Sequence, residues 1–420
     1  MAAACRRSAE AGPDRSNTAR QMKKISPLAA IFLTVFVDLV GFGIIVPLLP
    51  FYAEHFHASP ETVTLLMAIY SLMQFFSAPL WGALSDRHGR KPVLLASLLG
   101  IGLSYLWLAF AHSLWALFAA RALAGIMAGN IAAAQAYVAD VTPPEKRAQG
   151  MGLIGAAFGL GFILGPAIGG LLGGEDPTAP RFLGPGLAAA GLSFLALIFA
   201  VVALKESLDP AHRTVAGHRA LSRFSALAAG LGDPQLRLTV ILLFLVTFVF
   251  AGMEATFALW SERAFGWGPA QNGYVFAYTG ILAALVQGGL IRRLAARFGE
   301  SHLVLQGAVA LGLGLLAIPF VHSLIPLLVA MALLAYGAGV SNPALSSLIS
   351  LRSPDEARGA TLGISQAATS LARILGPALA GLAFGGFGRG GPFLAGSVVM
   401  LGVLLLALRL PGRRPEGVQA

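Results

Sequence analysis

Twelve long apolar runs dominate this sequence and constrain its fold more than any other feature. An α-helix needs roughly 20 apolar residues to cross a hydrocarbon core of about 30 Å. Because 56% of the 420 residues are hydrophobic and only 11% are charged, a soluble protein with a polar surface is excluded. The sequence therefore predicts an all-α membrane protein of twelve helices, called helices 1 to 12 here. The runs lie at 28–51, 62–82, 92–111, 114–138, 151–172, 183–204, 238–260, 273–291, 302–320, 323–348, 360–385 and 392–410.

Lys and Arg are distributed unevenly between the two sides of the predicted helices. The two tails and the loops that follow helices 2, 4, 6, 8 and 10 hold 24 of the 29, whereas the other loops hold only Arg181, Arg263 and Arg389. By the positive-inside rule, both termini are predicted to be cytoplasmic, in a multi-pass protein of the cell inner membrane. The net charge of +10 does not indicate nucleic-acid binding, because the basic residues lie in separate short loops.

The first 21 residues are polar and lack the pattern of a cleaved signal peptide. The string MKKISPL at Met22 is typical of a natural start just before helix 1. We therefore expect residues 1–21 to be a disordered tail or a start-site artefact. They contain Cys5, the single cysteine, so a disulfide framework within the chain is excluded.

The chain carries an internal duplication. Segments that begin at Ser113 and Ser323 align with an offset of 210 residues, so helices 4 and 5 repeat as helices 10 and 11. The string GALSDRHGRKP after helix 2 has a degraded echo, GGLIRRLAARFGES, after helix 8. Parallel halves are typical of transporters with a substrate path between them, although duplication could also simply build a stable bundle. We expect a tail at 1–26, six-helix bundles at 27–204 and 237–411, a cytoplasmic central loop at 205–236 and a tail at 412–420.

Four charged residues fall inside predicted helices, where a charge is costly and indicates function. Asp38 and Arg121 lie at matching depths, about 16 Å and about 18 Å from the cytoplasmic side, and Glu254 and Arg373 also match. We hypothesise that Asp38 exchanges protons, with Arg121 as the partner that sets its field. Glu254 is interpreted as a second proton carrier or as a contact for a cationic substrate. The alternative is that both pairs are structural.

Uncharged polar residues on the inner helices are candidates for a substrate cavity. Each of them could instead form a hydrogen bond between helices. The candidates are Gln74, Asn130, Gln135, Gln287, Asn342 and Gln366.

Helix 5 presents small residues at four-residue spacing, which allows very close helix packing. The residues of this motif are Gly161, Gly165, Pro166, Gly169 and Gly170. Sequence motifs for ATP use and for catalysis are missing: no lysine follows a glycine as in a Walker A motif, and neither GxSxG nor HExxH occurs. We therefore expect no enzyme activity and no cofactor. His55 and His57 form an HxH in an outer loop that favours solvation over a metal site.

Four motifs, in order and at the right helices, give the chain from Met22 to Arg409 a resemblance to the major facilitator superfamily. GALSDRHGRKP resembles its signature loop, RALAGIMAG at Arg121 its helix-4 motif, and GFILGPAIGG at 161–170 its helix-5 antiporter motif. DLVGFGIIVPLLP at 38–50 is similar to the helix-1 motif of the twelve-helix drug/proton antiporter branch, in particular tetracycline efflux pumps. Glu254 departs from those pumps, which implies a different charge distribution in the second half of the cavity.

The resemblance implies a gate for residues 82–92. Gly82 would allow helix 2 to approach a neighbour, Asp86 would lie against the N-terminal end of helix 11, and the basic residues would contact acidic groups and lipid phosphates. The alternative is that the cluster only sets topology. The motif residues are Gly82, Asp86, Arg87, Gly89, Arg90 and Lys91.

Together these patterns predict a proton-coupled transporter that exports small amphiphilic compounds by alternating access between two six-helix bundles. Its expected partners are a small-molecule substrate, protons and the lipid bilayer, and the resemblance implies that one chain suffices. A metabolite importer or uniporter of the same fold is the first alternative. A membrane receptor or scaffold without transport activity is the second.

Overall fold

The computed structural model describes residues 26–143, 147–208, 233–352 and 358–411, without the side chains of 147–149, 358–360 and 362. Residues 1–21 with Cys5, most of the central loop and the tail at 412–420 lie outside these ranges. The described chain is helical throughout, and its twelve long helices confirm the predicted fold class. They are α1 Pro27–His55, α2 Pro60–His88, α3 Arg90–Ala109, α4 Leu114–Val141, α5 Arg147–Gly173, α6 Leu183–Ala203, α7 Pro234–Phe265, α8 Pro269–Phe298, α9 Glu300–Phe320, α10 Leu324–Arg352, α11 Arg358–Phe387 and α12 Gly391–Ala407.

Eleven of these helices are long and apolar enough to cross a membrane, and α12 is apolar but has 17 residues. Several begin with a cap that the sequence encodes. At Ser26, Ser59 and Asp233 a side-chain oxygen accepts a backbone N–H of the first turn, and a proline follows at once. This order stabilises a helix start, because the cap satisfies a free N–H and proline has none to satisfy.

Three helices depart from regular α geometry away from their ends. Helix α1 contains a 3₁₀ turn at Val46–Leu48, which includes Pro47. Helix α4 is interrupted between Met127 and Asn130, and α8 has a π-helical turn at Val286–Leu290. Such turns leave backbone groups outside the regular hydrogen-bond pattern and often mark functional regions.

The helices form two bundles that meet along two seams. In the first bundle α1 packs on α5 and α6, and in the second α9 packs on α10 and α7 on α11. One seam is formed by α2 and α11 and the other by α5 and α8. The sequence prediction of two six-helix bundles is therefore confirmed.

The two ends of the molecule differ in how tightly the bundles meet. One end of the molecule carries residues 82–92, the start of α1 and the end of α12, and we call it the terminal side. The other end is called the opposite side. On the opposite side, Gly170 lies close to Gly273 across one seam, and Gly381 lies close to Thr64 across the other. The hydrogen bonds between bundles among the described residues, such as Ala270 N–H to Gly174 O at 2.9 Å, also lie there.

The terminal side is open. A Cβ atom added at any of seven seam-helix glycines in the terminal half would meet no atom within 4 Å. The described residues therefore show a conformation that is closed on the opposite side and open towards the terminal side. The seven positions are Gly82, Gly152, Gly155, Gly159, Gly288, Gly289 and Gly363.

Candidate functional site

Asp38 lies inside the first bundle, where three helices meet. Its side chain is 4% exposed. The carboxylate accepts a hydrogen bond from Ser193 Oγ of α6 at 3.1 Å and another from Asn130 Nδ2 of α4. Two donors partly replace the water that a buried carboxylate loses, so Asp38 is held at this point by its neighbours on α4 and α6.

Arg121 lies in the same bundle but is bound differently. It is 3% exposed, and its guanidinium carbon lies 4.6 Å from the centre of the Tyr70 ring and 6.0 Å from that of Phe42. These are cation–π distances, and such contacts are strongest when the cation is desolvated. The Nε and Nη1 atoms of Arg121 have no hydrogen-bond partner among the described residues.

The expected direct pairing of Asp38 with Arg121 is not formed in this conformation: no ion pair joins them in the described structure. Two tyrosines neighbour both charges instead. Tyr70 of α2 and Tyr105 of α3 each have both Asp38 and Arg121 as electrostatic neighbours. The two charges thus belong to one cluster, which we call the Asp38 cluster, and which consists of Asp38, Arg121, Tyr70 and Tyr105.

The second bundle contributes the other two predicted charges. Glu254 of α7 is partly buried and has Arg373 of α11 as a charged neighbour. Arg373 is exposed, and it is also a charged neighbour of Tyr70 in the first bundle. All four charges predicted from the sequence therefore belong to one electrostatically connected region that spans the two bundles.

The polar cavity candidates are in different environments. Asn130 is buried and bound to Asp38, which matches the alternative of a hydrogen bond between helices. Gln74 and Asn342 are partly exposed, and Gln135, Gln287 and Gln366 are exposed. Gln287 lies in the π-helical turn of α8.

Sequence reasoning missed four residues of this region: Ser193, Phe42, Tyr70 and Tyr105. Serine is common in transmembrane helices, so Ser193 carried no signal. The two tyrosines lie in apolar runs and could have been noticed as polar groups, because a buried Tyr hydroxyl usually needs a partner. Their position beside both charges depends on how the helices are rotated, which spacing along one chain does not reveal.

The glycine motif of α5 holds α1 in place beside the cluster. Gly161 faces Leu39, the residue after Asp38, and Gly165 faces Gly43 and Ile44. Close approach of the two backbones leaves no room for a side chain at these points. Gly170 turns to the other bundle and faces Pro269 and Gly273 of α8. The motif thus lies against α1 and, at its opposite-side end, forms part of the α5–α8 seam.

The charged segment 82–92 is bound within the first bundle in this conformation. Arg90 pairs with Asp86 at 2.6 Å and with Asp140 of α4 at 3.1 Å. Asp86 therefore meets Arg90 here, and the described contacts include none between Asp86 and α11. A Cβ atom added at Gly82 would meet nothing within 4 Å. No neighbouring helix therefore approaches α2 closely at Gly82 in this conformation.

Lys91 and Glu206 form a reciprocal lock between α3 and α6. The Lys91 ammonium donates to the carbonyl oxygens of Val201 and Leu204, at 2.8 and 2.7 Å, where α6 ends. The Glu206 carboxylate accepts the backbone N–H groups of Arg90 and Lys91, at 2.8 and 3.1 Å, where α3 begins. The positive Lys91 thus faces the negative C-terminal end of α6, and the negative Glu206 faces the positive N-terminal end of α3.

The protonation of Glu206 reflects this position. Burial acts to raise its pKa, but the backbone N–H donors of Leu208, Arg90, Lys91 and Ser207 outweigh that effect, and the pKa of Glu206 lies below its usual value. The carboxylate is therefore charged at neutral pH, as the lock requires.

Comparison with known proteins shows the family of this chain. The chain matches the family model of the Major Facilitator Superfamily over residues 31–298 and 290–420. It is 37% identical to the tetracycline resistance protein, class C, of Escherichia coli, over 85% of this chain and 89% of that protein. It is 31% identical to the major facilitator superfamily domain-containing protein 10 of Bos taurus, over 93% of this chain and 92% of that protein.

Solved structures show the same fold. The human organic anion transporter MFSD10 superposes with a TM-score of 0.70 at 30% sequence identity, and the match covers 91% of this chain and 98% of that one. The nucleoside transporter NupG superposes with a TM-score of 0.72 at 12% identity, over 92% and 99%, and shows the fold alone. From its two-bundle architecture and these matches, the chain belongs to the major facilitator superfamily and is an integral multi-pass membrane transporter, not an enzyme.

Proposed function

We propose that this protein is a proton-coupled transporter that exports small amphiphilic compounds across the cell inner membrane by alternating access. The observation that carries the proposal is Asp38, a carboxylate inside a membrane bundle whose described partners are the neutral donors Asn130 and Ser193. A buried ionisable group that lacks a salt bridge is suited to gain and lose a proton, because no fixed counter-charge holds it ionised.

The Asp38 cluster supplies a way to couple protonation to movement. Arg373 belongs to the second bundle but has Tyr70 of the first bundle as its neighbour. When the bundles rock about their seams, Arg373 moves relative to Tyr70, Arg121 and Asp38, and the field at the carboxylate changes. Protonation of Asp38 in turn changes the attraction between the bundles, so each process biases the other. Glu254 acts as a second carrier or as a contact for a cationic group of the substrate.

Charge distribution supports an orientation of the protein in the membrane. The terminal side carries most of the Lys and Arg residues, which favours a cytoplasmic location for it by the positive-inside rule. The described conformation is then open to the cytoplasm and closed to the outside, ready to load a compound from within. The chain carries one complete path between its two bundles, so we propose that a monomer is functional.

Tetracycline-like compounds are the first substrate class to test, because six relatives named tetracycline resistance proteins are 30–37% identical to this chain. Organic anions are the second. They are supported by two features: Arg121 has guanidinium nitrogens without a partner among the described residues, and Arg373 is exposed. A pair of arginines of this kind favours an anionic group on the substrate.

The test uses the full-length protein in sealed liposomes, with tetracycline and a fluorescent organic anion offered in parallel. We expect an imposed pH difference to drive transport of at least one of them. Asp38→Asn should abolish pH-driven transport but retain exchange of labelled for unlabelled substrate without a gradient. The amide keeps the shape of the side chain but cannot take up or release a proton. Asp176→Asn, the same change at an exposed loop aspartate that hydrogen-bonds Thr178, is the matched control.

Undiminished pH-driven transport by Asp38→Asn would contradict the coupling role. Transport by the unmodified protein that is equally fast with the pH difference dissipated would favour the uniporter alternative. Accumulation in the same direction as the proton flow would favour the importer. Binding without any transport would favour a receptor or scaffold.

A further inference from the structure

The junction between α8 and α9 has the same backbone turn as the junction between α2 and α3 but a different charge balance. Both junctions turn at a glycine with positive φ, 110° at Gly89 and 80° at Gly299, whose N–H bonds the carbonyl oxygen four residues back. Where the string GALSDRHGRKP has Asp86, the equivalent string GGLIRRLAARFGES has Arg292. In the first bundle Asp86 pairs with Arg90 at 2.6 Å, whereas Arg292 adds a further positive charge.

The basic residues of the second junction have no acidic partner among the described residues. Arg292, Arg293 and Arg297 are exposed, and no described carboxylate lies within ion-pair distance of them. The described acidic residues on the terminal side of this bundle are Asp233, which caps α7, and Glu300, which accepts a hydrogen bond from α10. We call the three arginines the α8 arginine face.

The α8 arginine face points away from the protein. On the other face of the same segment, Ile291, Leu294 and Ala295 pack against the buried hydrophobic core. Their spacing of three and four residues places them on one side of the helix, and the arginines fall between them on the opposite side. The end of α8 is thus an amphipathic helix that is bound to the protein by its apolar side alone.

An exposed apolar stripe along α8 leads directly to the arginines. Ile281, Leu285 and Leu290 are 48%, 60% and 45% exposed. The first two are four residues apart, and the next step of five falls on the π-helical turn Val286–Leu290, where residues five apart share a face. Arg293 and Arg297 continue the stripe at regular α spacing. Since α8 crosses the membrane, this stripe faces lipid and ends in positive charge.

The length of α8 places the arginines at the level of the lipid headgroups. Its 30 residues, Pro269–Phe298, are about 45 Å long, whereas the hydrocarbon core is about 30 Å thick. About the last ten residues therefore extend beyond the core on the terminal side. A Cβ atom at Gly288 or Gly289 would meet nothing within 4 Å, so no neighbouring helix covers α8 where it leaves the core.

The chemistry of the surface selects its ligand. Guanidinium groups bind phosphate oxygens through paired hydrogen bonds, and basic clusters beside a membrane helix attract anionic lipids. A soluble phosphate would satisfy the arginines but would leave the adjoining Leu285 and Leu290 uncovered. A phospholipid covers both parts, because its acyl chains follow the stripe while its headgroup meets the arginines.

We propose that the α8 arginine face binds the headgroup of an anionic phospholipid, whose acyl chains lie along Leu285 and Leu290. The bound lipid supplies the negative charge that Asp86 supplies to Arg90 in the first bundle. The proposal goes beyond the transport function above, because it concerns the lipid-facing surface of the second bundle and needs neither a substrate nor a proton on Asp38.

The test measures which lipids remain bound to the full chain. The protein is purified in micelles that contain equal amounts of phosphatidylglycerol and phosphatidylcholine, and native mass spectrometry counts each lipid per protein. We expect the parent to retain phosphatidylglycerol in preference. The variant Arg292→Gln/Arg293→Gln/Arg297→Gln should lower this preference about tenfold or more, because every arginine near an anionic surface adds to the attraction.

The matched control is Lys205→Gln/Arg237→Gln/Arg409→Gln. It removes the same number of positive charges from exposed positions on three other elements of the terminal side, so it should keep the parent's preference. An unchanged preference in the arginine-face variant would overturn the proposal. An equal loss in the control would also overturn it, since the effect would then follow from total charge and not from a site.

Thermal unfolding separates a lipid from a free anion. Phosphatidylglycerol added to phosphatidylcholine micelles should raise the unfolding midpoint of the parent and the control but not of the arginine-face variant. Inorganic phosphate should raise none of them. If it stabilised the parent as well as phosphatidylglycerol does, the lipid assignment would fail in favour of a soluble anion. An equal midpoint of all three proteins in phosphatidylcholine alone excludes misfolding, and no step depends on transport.

Discussion

At the scale of single residues, Arg121 shows how a membrane bundle holds a charge without an ion pair among the described residues. Its guanidinium lies over Tyr70 at 4.6 Å and lies 6.0 Å from the centre of the Phe42 ring, which packs against Tyr70 at 5.3 Å. A cation–π contact of a desolvated arginine is worth about 2 kcal/mol or more, which offsets only part of the several kcal/mol that burying an ion costs. Two of its nitrogens, Nε and Nη1, have no hydrogen-bond partner among the described residues.

This arrangement predicts different results for two substitutions of Tyr70. Tyr70→Phe keeps the aromatic face and should leave thermal stability nearly unchanged, whereas Tyr70→Leu should lower it by about 1–2 kcal/mol through the lost cation–π contact. The measurement is a double-mutant cycle with Arg121→Met, using thermal unfolding of the purified protein. If Tyr70→Leu is as costly in the Arg121→Met background as in the parent, the contact does not stabilise the protein.

At the scale of elements, the position of Asp38 depends on how closely α1 and α5 approach. A Cβ at Gly165 would lie 2.6 Å from the carbonyl carbon of Gly43 and 2.9 Å from Ile44 N, both backbone atoms that cannot rotate away. On the same helix, a Cβ at Gly159 would meet nothing within 4 Å. The two glycines therefore form a matched pair for substitution: Gly165 is packed against the backbone of α1, and Gly159 has open space beside it.

Gly165→Ala should destabilise the protein by about 1–3 kcal/mol, because the added methyl group forces the helices apart. Gly159→Ala should be neutral or slightly stabilising, since alanine favours a helix over glycine by about 0.5–1 kcal/mol. Thermal unfolding of the two variants side by side checks this, together with the pH-driven transport assay. Equal stability of the two variants would mean that the α1–α5 contact relaxes without strain.

At the scale of the whole molecule, the two seams close together on the opposite side and part on the terminal side. Gly381 of α11 approaches Thr64 and Glu61 of α2 at one seam, and Gly170 of α5 approaches Gly273 of α8 at the other. If the bundles move as rigid bodies, forcing one seam apart must also open the second. This distinguishes rocking of whole bundles from bending of single helices.

Gly381→Leu should therefore speed several-fold the labelling of a thiol on the other seam. The reporter is Ala270→Cys in a Cys5→Ser background, labelled with a hydrophilic maleimide, because Ala270 is 3% exposed and its N–H binds Gly174 across the α5–α8 seam. The added side chain would collide with Thr64, while Gly386→Leu on the same helix, where a Cβ meets nothing within 4 Å, is the matched control. Labelling at position 270 that stays slow in Gly381→Leu would show that the seams open independently.

Much of the architecture could be predicted from the sequence, because each part of it rests on a local or repeated pattern. The length of each apolar run predicts a membrane-crossing helix, and the duplication at an offset of 210 residues predicts two bundles. The motifs at 38–50, 82–92 and 161–170 indicated the superfamily, which the family match confirms. The four intramembrane charges stood out by residue type alone.

The partners of those charges could not be predicted in the same way. Asp38 and Arg121 have matching depths, yet Asp38 binds Asn130 and Ser193, and Arg121 lies on Tyr70. Depth follows from counting residues along a helix, whereas contact depends on how each helix is rotated about its axis and on which helices are neighbours. The ion pair of Glu54 with Arg263 joins residues 209 positions apart in the sequence, beyond any local pattern.

Sequence by itself thus determined the class of protein, the number of helices, the twofold repeat and the residues that carry charge into the membrane. Those features depend on composition and on distance along one chain. Tertiary structure alone decided which side of the molecule is open, which groups surround Asp38 and Arg121, and that Glu54 pairs with Arg263 across the bundle interface. These depend on the packing of helices from both halves, where close contact over a few ångströms sets the energy of each charge.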